Sequence, residues 1–198
     1  MKVEVLNHTN NAVNIIAEIG GICYDTKFRD EEHKRTLVKS LINRGHESVL
    51  EHASITFLID GVSRALTHQL VRHRMASYTQ QSQRYCKVNT EGKDWYINPY
   101  KESSSEAELF DEYMKLTAIE YETLLKTGKK EDARAVLPNS TATKIVVTMN
   151  IRGLRNFFKL RLHKSAQKEI RELAEKMLSK CEDLGWDILF QDIKEEIM

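Results

Sequence analysis

The segment TKIVVTMNIRGLRNFFKLRL, residues 143–162, contains the two patterns that decide the fold of this chain. Its first nine residues are β-branched or apolar on both faces, which predicts a central strand of a sheet. The following residues place Leu154, Phe157, Phe158 and Leu162 at helical spacing. A central strand that runs directly into an amphipathic helix indicates a domain that combines a sheet with packed helices.

Other patterns add strands and helices on both sides of this segment. KVEVLNH at residues 2–8 predicts an opening strand, and ASITFLID at residues 53–60 predicts a second. Helices are predicted from the cap Asp30 to a stop at Gly45, from Val62 to about Arg72, over the long run ended by Gly128, around Arg134, and over Ala166–Cys181. The predicted fold class is therefore a mixed α/β domain, more specifically α+β. It has a central sheet flanked by long helices.

Composition predicts one globular domain over residues 1–198. The chain is 41% hydrophobic and 30% charged, and no linker or repeat divides it. Neither GxGxxG nor GxxxxGK[ST] occurs, so neither a Rossmann nor a P-loop nucleotide-binding motif is expected. Three well-separated cysteines and the lack of a signal core or apolar span predict a reduced, cytoplasmic protein without disulfides or membrane contact.

Charge is distributed unevenly along the chain. Residues 61–90 and 133–168 together hold 13 of the 30 basic residues and none of the 29 acids. A net charge of only +1 argues against a general nucleic-acid coat. Two acid-free basic segments instead favour a pocket for small anions. The alternative is that each base pairs with an acid from elsewhere, which is the commoner arrangement for any single residue.

Metal and nucleophile signatures are weak. In HESVLEH the two histidines, His46 and His52, are six residues apart and cannot share a helix face, so no metal site is expected. The candidate nucleophiles are Ser77, Ser82, Cys86 and Cys23, but no His–Asp pair can be assigned to any of them. A lone serine or cysteine is more often a packing or hydrogen-bonding residue.

The segment QLVRHRMASYTQQSQRY, residues 69–85, is a stronger candidate for a binding site. Arg72, His73 and Arg74 project in successive directions, and Ser82 follows after seven residues. One loop of this kind can hold two ligands, with arginine forks on phosphate or imide oxygens. A charged surface loop is an equally good interpretation of composition alone.

The same residues resemble the RHRx7S signature of the flavin-dependent thymidylate synthases. Three further segments resemble elements of that family in the same order: GHESVLEHASITF (45–57), ARAVLPNS (133–140) and TMNIRGLRNFFKLRL (148–162), the last followed by AQKEIREL. The resemblance therefore extends over most of the chain. It implies a compact α/β domain that synthesises dTMP from dUMP, with methylenetetrahydrofolate as carbon donor and FAD, reduced by NADPH, as hydride source. It also implies a homotetramer whose active sites are shared between subunits.

The resemblance implies roles for individual residues as well. The positions that match flavin contacts are His46, Ser48, Arg72, His73, Arg74, Gln80, Asn150, Ile151, Arg152 and Asn156. The positions that match dUMP contacts are Gln69, Leu70, Val71, Arg72, Gln80, Gln81, Ser82, Gln83, Arg84, Arg134 and Arg161. Arg161 is the implied catalytic residue: it would favour the deprotonated uracil ring, so that C5 attacks the folate carbon without an enzyme nucleophile.

Two positions depart from the family pattern. Gln80 stands where several members have Glu, and Ser165 stands, at the predicted start of the last helix, where some members have His. Neither change is expected to abolish activity. Two other functions stay open: a non-catalytic nucleotide or RNA-binding module that uses Tyr78 and Tyr85 for stacking, and a flavin reductase that needs only NADPH.

Overall fold

The computed structural model describes residues 1–197 and contains a four-stranded sheet in the order β1-β2-β4-β3. The strands are β1 Lys2–His8, β2 Ser54–Ser63, β3 Ala76–Gln80 and β4 Ala142–Asn150. Thr56 contacts Thr148 and Asp60 contacts Lys144. Residue numbers therefore increase along β2 as they decrease along β4, so the two strands run antiparallel.

Eight α-helices lie within the described residues. They are α1 Ala12–Ile22, α2 Glu31–Asn43, α3 Arg64–Leu70, α4 Ser105–Thr127, α5 Lys130–Ala133, α6 Ile151–Arg161, α7 Lys168–Asp183 and α8 Gln191–Ile197. Three 3₁₀ turns occur at Glu47–His52, Arg134–Val136 and Asp187–Leu189. The predicted α+β class is confirmed.

The prediction of a central strand at residues 143–151 is confirmed, because β4 has a neighbour on each side. Ile145, Val147 and Met149 are buried on one face of this strand, whereas Val146 and Thr148 on the other are only half-buried. The strand passes into α6 at Asn150, whose side chain accepts a hydrogen bond from the backbone N–H of Gly153 at 2.8 Å. An asparagine in this position is a favourable helix N-cap.

The helix predicted from Val62 to about Arg72 is present, but it is shorter by two residues at each end. Val62 and Ser63 belong to β2, and α3 covers only Arg64–Leu70. Ser63 is the reason for the late start, because its Oγ accepts a hydrogen bond from the backbone N–H of Leu66 at 3.0 Å. The predicted start of the last helix is wrong, since Ala166 and Ser165 precede α7.

The chain forms two compact units. Unit 1 comprises Met1–Lys2, Ile59–Leu70 and Thr79–Ile145, and its apolar cluster is formed by Trp95, Tyr96 and Met114. Unit 2 comprises Val3–Leu58, Val71–Tyr78 and Val146–Met198. In unit 2, Phe158 of α6 lies between Phe157 and Phe190, with ring centroids 5.7 and 5.1 Å away.

Candidate functional site

A cavity of about 620 Å³ in unit 2 contains seven of the residues that the sequence predicts for binding. Most of its wall is formed by residues 72–75, which follow α3, and by α6 together with its N-cap. The predicted residues that line it are Arg72, His73, Arg74, Asn150, Arg152, Asn156 and Arg161. The structure therefore brings together parts of both acid-free basic segments, which lie about eighty residues apart in the sequence.

Six other residues complete the wall, and sequence analysis did not predict them for the site. They are Glu47, Glu51, Met75, Met149, Gly153 and Leu160. Met75 and Leu160 are 73% and 55% exposed, and they give the cavity an apolar surface beside the arginines. Such a combination suits a ligand with both an aromatic ring and an anionic group.

His73 and Arg161 are directly bonded at this cavity. Arg161 Nε donates to His73 Nε2 at 3.1 Å, and the His73 ring packs edge-on against Phe157 at a centroid distance of 5.1 Å. Tyr78 Oη donates to the backbone oxygen of His73 at 2.8 Å. Three contacts from three directions therefore fix both the backbone and the ring of His73.

The same surroundings disfavour a charged imidazole. Burial lowers the pKa of His73, and the neighbouring Arg161 guanidinium lowers it further, to about 4. Near neutral pH the ring is therefore uncharged and can accept the hydrogen bond from Arg161. Burial also raises the pKa of Tyr78 to about 12, which keeps its hydroxyl a donor.

Two carboxylates hold Arg152 on the cavity wall. Its Nη1 lies 2.5 Å from Oε1 of Glu51, and its Nε lies 3.8 Å from Oε2 of Glu47. The hydrogen bond to Glu51 is the largest cause of a raised pKa for Arg152. A guanidinium has five N–H donors, so these two carboxylates leave donors for a ligand.

Unit 1 contains most of the residues that match dUMP contacts. Ser82 Oγ accepts a hydrogen bond from the backbone N–H of Arg84 at 3.2 Å, and Arg84 forms an exposed ion pair with Glu131 at 3.3 Å. Arg134 donates from Nε to the backbone oxygen of Glu131 at 3.2 Å. Gln81, Ser82 and Gln83 line a cavity of about 280 Å³.

Gln80 uses its amide as a hydrogen-bond donor. Its Nε2 donates to Thr67 Oγ1 at 3.0 Å and to Thr143 Oγ1 at 3.4 Å. The Thr67 hydroxyl already donates to the backbone oxygen of Arg64 at 3.0 Å. Since a carboxylate cannot donate, glutamate at this position would need a different arrangement of these hydroxyls.

Arg64 of unit 1 is a residue that sequence analysis did not assign to the site. Its Nη1 is buried without a hydrogen-bond partner. Burial lowers the pKa of Arg64, and the nearby Arg134 guanidinium lowers it further. A buried donor next to a second cation is a place where an anionic ligand is favoured. The sequence signal was present, because Arg64 lies within the first acid-free segment.

Several predicted residues do not line the cavity of unit 2. His46 and Ser48 are exposed residues of unit 2, and Tyr24 Oη lies 3.4 Å from Nδ1 of His46. Ile151 is fully buried in unit 2. The other predicted residues are half-buried Gln69 and buried Leu70 of unit 1, and exposed Val71 of unit 2. Ser165 lies in the turn before α7, 2.8 Å from Nδ1 of His163.

The segment 69–85 is not one loop, as the sequence suggested. Its first two residues, Gln69 and Leu70, end α3, and its central residues form β3, Ala76–Gln80. Its last residues lie in a turn of unit 1. The Arg72–His73–Arg74 triplet and Ser82 are therefore separated by a strand of the sheet.

Residues 1–197 contain no cluster of three or more His, Cys, Asp and Glu side chains that could hold a metal ion. None of the helices in that range combines the length and apolarity that a bilayer crossing requires.

Comparisons with known proteins identify relatives over most of the chain. Residues 4–184 match the family model described as thymidylate synthase complementing protein. The chain is 44% identical over 188 residues to a flavin-dependent thymidylate synthase of Geobacter sulfurreducens, covering 90% of this chain and 81% of that one. It is 42% identical over 190 residues to the Pyrococcus abyssi protein of the same name, covering 90% and 78%.

A solved structure has a similar fold. It is a UMP/dUMP methylase PolB from Streptomyces cacaoi bound with 5-Br dUMP, with a TM-score of 0.79 and 24% sequence identity. The match covers 96% of this chain and 94% of that chain. At this identity the likeness shows the fold.

Proposed function

This chain belongs to the thymidylate synthase complementing protein family, together with the flavin-dependent thymidylate synthases, and we propose that it methylates dUMP to dTMP. The observation that carries the proposal is the relation to enzymes of that name over about 90% of the chain. The cavity of unit 2 supports it, because it gathers the arginines that match the family's flavin contacts. The proposed co-substrates are methylenetetrahydrofolate and NADPH.

FAD is the cofactor that we propose for the cavity of unit 2. Its pyrophosphate would find guanidinium groups at Arg72, Arg74 and Arg152, and amide side chains at Asn150 and Asn156. The apolar wall at Met75 and Leu160 fits an aromatic ring system. When bound and reduced, FAD supplies the hydride that completes the methyl group.

We assign the activation of uracil to Arg161. A cation beside the N3–O edge of the ring lowers the pKa of N3 and stabilises the ring anion, which makes C5 nucleophilic. C5 would then form the bond to the methylene carbon without a covalent link to the enzyme. The bond between that carbon and the folate nitrogen would break, so that tetrahydrofolate leaves, and C5 would lose its hydrogen as a proton. The hydrogen bond from Arg161 Nε to His73 orients the guanidinium for this role.

The geometry of Ser82 supports a binding role over a nucleophilic one. Its Oγ accepts the N–H of Arg84 and thereby shapes the turn that carries this arginine. We propose that Ser82, Arg84 and Arg134 contact the dUMP phosphate, together with Gln69 and the Gln80–Gln83 segment. The same proposal includes a homotetramer with shared active sites, a single domain over residues 1–198 and a place in the cytoplasm.

An omission assay tests this function. The purified chain is incubated with FAD, NADPH, dUMP and methylenetetrahydrofolate, each omitted in turn, and dTMP is assayed. We expect dTMP only in the complete mixture, and a chain that binds FAD stoichiometrically. A chain that binds no flavin but binds RNA with steep salt dependence would instead be a binding module. NADPH oxidation that needs neither dUMP nor folate would indicate a reductase.

A further inference from the structure

Arg155 is a buried cation held by three acceptors in unit 2. It lies on α6, and its side chain is only 2% exposed. Its Nη1 and Nη2 donate to the two carboxylate oxygens of Asp192 on α8, at 2.8 and 2.6 Å, and Nη1 also donates to the backbone oxygen of Leu189. A guanidinium this deeply buried is stable only while its partners stay in place.

The third acceptor, Glu47, connects this buried cation to the wall of the candidate flavin cavity. Glu47 Oε1 accepts from Arg155 Nε at 3.1 Å, and Glu47 Oε2 lies 3.8 Å from Nε of Arg152. Glu47 lines both the cavity of about 620 Å³ and a second one of about 510 Å³ that Arg155 and Asp192 also line. The carboxylate therefore stands between a fixed arginine and a ligand-facing one.

This arrangement restricts Arg152 before any ligand arrives. The Arg152 side chain is 52% exposed, so without acceptors it would sample many rotamers. Ordering such a side chain on binding weakens affinity, and ordering it beforehand removes that loss. Glu51 supplies one anchor, but it is 41% exposed, whereas Glu47 is 26% exposed and bonded to the buried Arg155. Glu47 is thus the better-fixed of the two anchors.

We propose that Glu47 is a positioning residue for flavin binding: it orients Arg152 on the cavity wall, and the Arg155–Asp192 pair fixes Glu47 in turn. The C-terminal helix α8 then supports the cofactor site through side chains that do not touch the cofactor. This inference rests on the proposed function, since it takes FAD as the ligand of the cavity.

The test compares FAD affinity across matched variants. Glu47→Gln keeps an oxygen that can accept from Arg155 but removes the charge beside Arg152. Asp192→Asn loosens Arg155 from α8. The control is Glu182→Gln on α7. It removes the ion pair between Glu182 and Lys194 of α8, the helix that also carries Asp192, without touching Arg155. FAD is titrated by flavin fluorescence, and the melting temperature and visible flavin spectrum of each variant are recorded.

We expect Glu47→Gln to weaken FAD binding about 3- to 30-fold and Asp192→Asn to weaken it in the same direction by less. Glu182→Gln should bind FAD as the parent does. If Glu47→Gln does not fold, Asp192→Asn carries the test. Suppose the parent chain is active and whichever of Glu47→Gln and Asp192→Asn folds binds FAD as tightly as the parent does. That result would overturn the inference and leave the proposed function intact.

A second background separates positioning from general loosening. Arg152→Lys keeps a cation but lacks the fork that two carboxylates can hold. In that background Glu47→Gln should change FAD affinity less than about twofold, because the group that it positions has gone. An equal loss in both backgrounds would show that Glu47 acts on the fold and not through Arg152. A parent chain that binds no FAD would refute the proposed function and this inference together.

Discussion

Arg161 Nε lies 3.1 Å from His73 Nε2, so the arginine proposed to activate the substrate is bonded to the central residue of the RHR triplet. His73 can accept this bond only while its Nε2 carries no proton. The two residues come from different acid-free segments, and their contact joins the end of α6 to the residues after α3. The protonation of His73 therefore decides whether this contact to Arg161 forms.

The stability of the fold should depend on pH through His73. In the unfolded chain its pKa is near 6.5, and in the fold burial and Arg161 lower the pKa to about 4. Between these values the unfolded state binds more protons, so stability falls as the pH falls from about 6.5 to about 4. The full shift corresponds to roughly 3 kcal/mol.

Urea unfolding between pH 4 and pH 7 measures this effect. His73→Gln keeps an oxygen that can accept from Arg161 and does not titrate in this range. The variant should lose less stability than the parent on acidification. Parallel stability curves for parent and variant would contradict the assignment.

Arg161→Ala should separate cofactor binding from chemistry. We expect FAD affinity close to that of the parent, and a loss of dTMP formation of about 100-fold or more, because one preorganised charge on the uracil has gone. Flavin titration and a dTMP assay measure the two effects. Lys164→Ala, which removes an exposed cation just after the same helix, should be active. Full turnover by Arg161→Ala would remove this residue from its proposed role.

Ser82→Ala should weaken dUMP binding and retain turnover. The variant loses the hydroxyl that accepts the Arg84 N–H and that we propose to contact the dUMP phosphate, so one hydrogen bond to a charged group, worth about 1.5–3 kcal/mol, is at stake. The dissociation constant of dUMP and the turnover number at saturating dUMP are measured. Ser179→Ala, on the exposed side of α7, is the matched control. Complete inactivity with normal dUMP affinity would point to a nucleophilic Ser82.

Gly153→Ala should destabilise the chain even though alanine favours helices. A Cβ at Gly153 would lie 3.1 Å from the backbone oxygen of Met75 and 3.3 Å from Asn150 Oδ1, which is tighter than most Cβ contacts in proteins. Crowding against a backbone group should outweigh the gain in helix propensity, for a net loss of about 1 kcal/mol. Thermal unfolding measures it. A raised melting temperature would mean that Met75 moves away without cost.

Strong local patterns made the main elements predictable. The run of β-branched residues before Asn150 predicted β4, and Asp30 with Gly45 bounded α2, where the structure shows an aspartate cap and a positive φ at Gly45. β3 was missed because Ala76–Gln80 carries polar residues on both faces and only tertiary pairing makes it a strand. Helix α1 was missed as well, although its buried residues recur at helical spacing; Gly20 and Gly21 near its end disfavour a helix by propensity.

The structure divides the basic residues of the acid-free segments between a cavity wall and ion pairs with acids from elsewhere. Arg152 and Arg161 line a cavity, and Arg152 also pairs with Glu51 and Glu47. Arg155 instead pairs with Glu47 and Asp192, acids from before and after its own segment. Spacing along the chain cannot distinguish the two outcomes, since both types of arginine lie on one helix three residues apart. Which of these arginine side chains is buried depends on how α8 and the 3₁₀ turn Glu47–His52 pack against α6.

The positions of the three cysteines make selective thiol labelling feasible. Cys23 and Cys86 are exposed, whereas Cys181 is buried, and burial raises the pKa of its thiol. Cys86 lines the same small cavity as Ser82, which we propose to contact the dUMP phosphate. We therefore expect a maleimide dye attached to Cys86, in a Cys23→Ser background, to change its emission when dUMP binds. The chain thus carries a native attachment point for a fluorescent label beside its proposed substrate site.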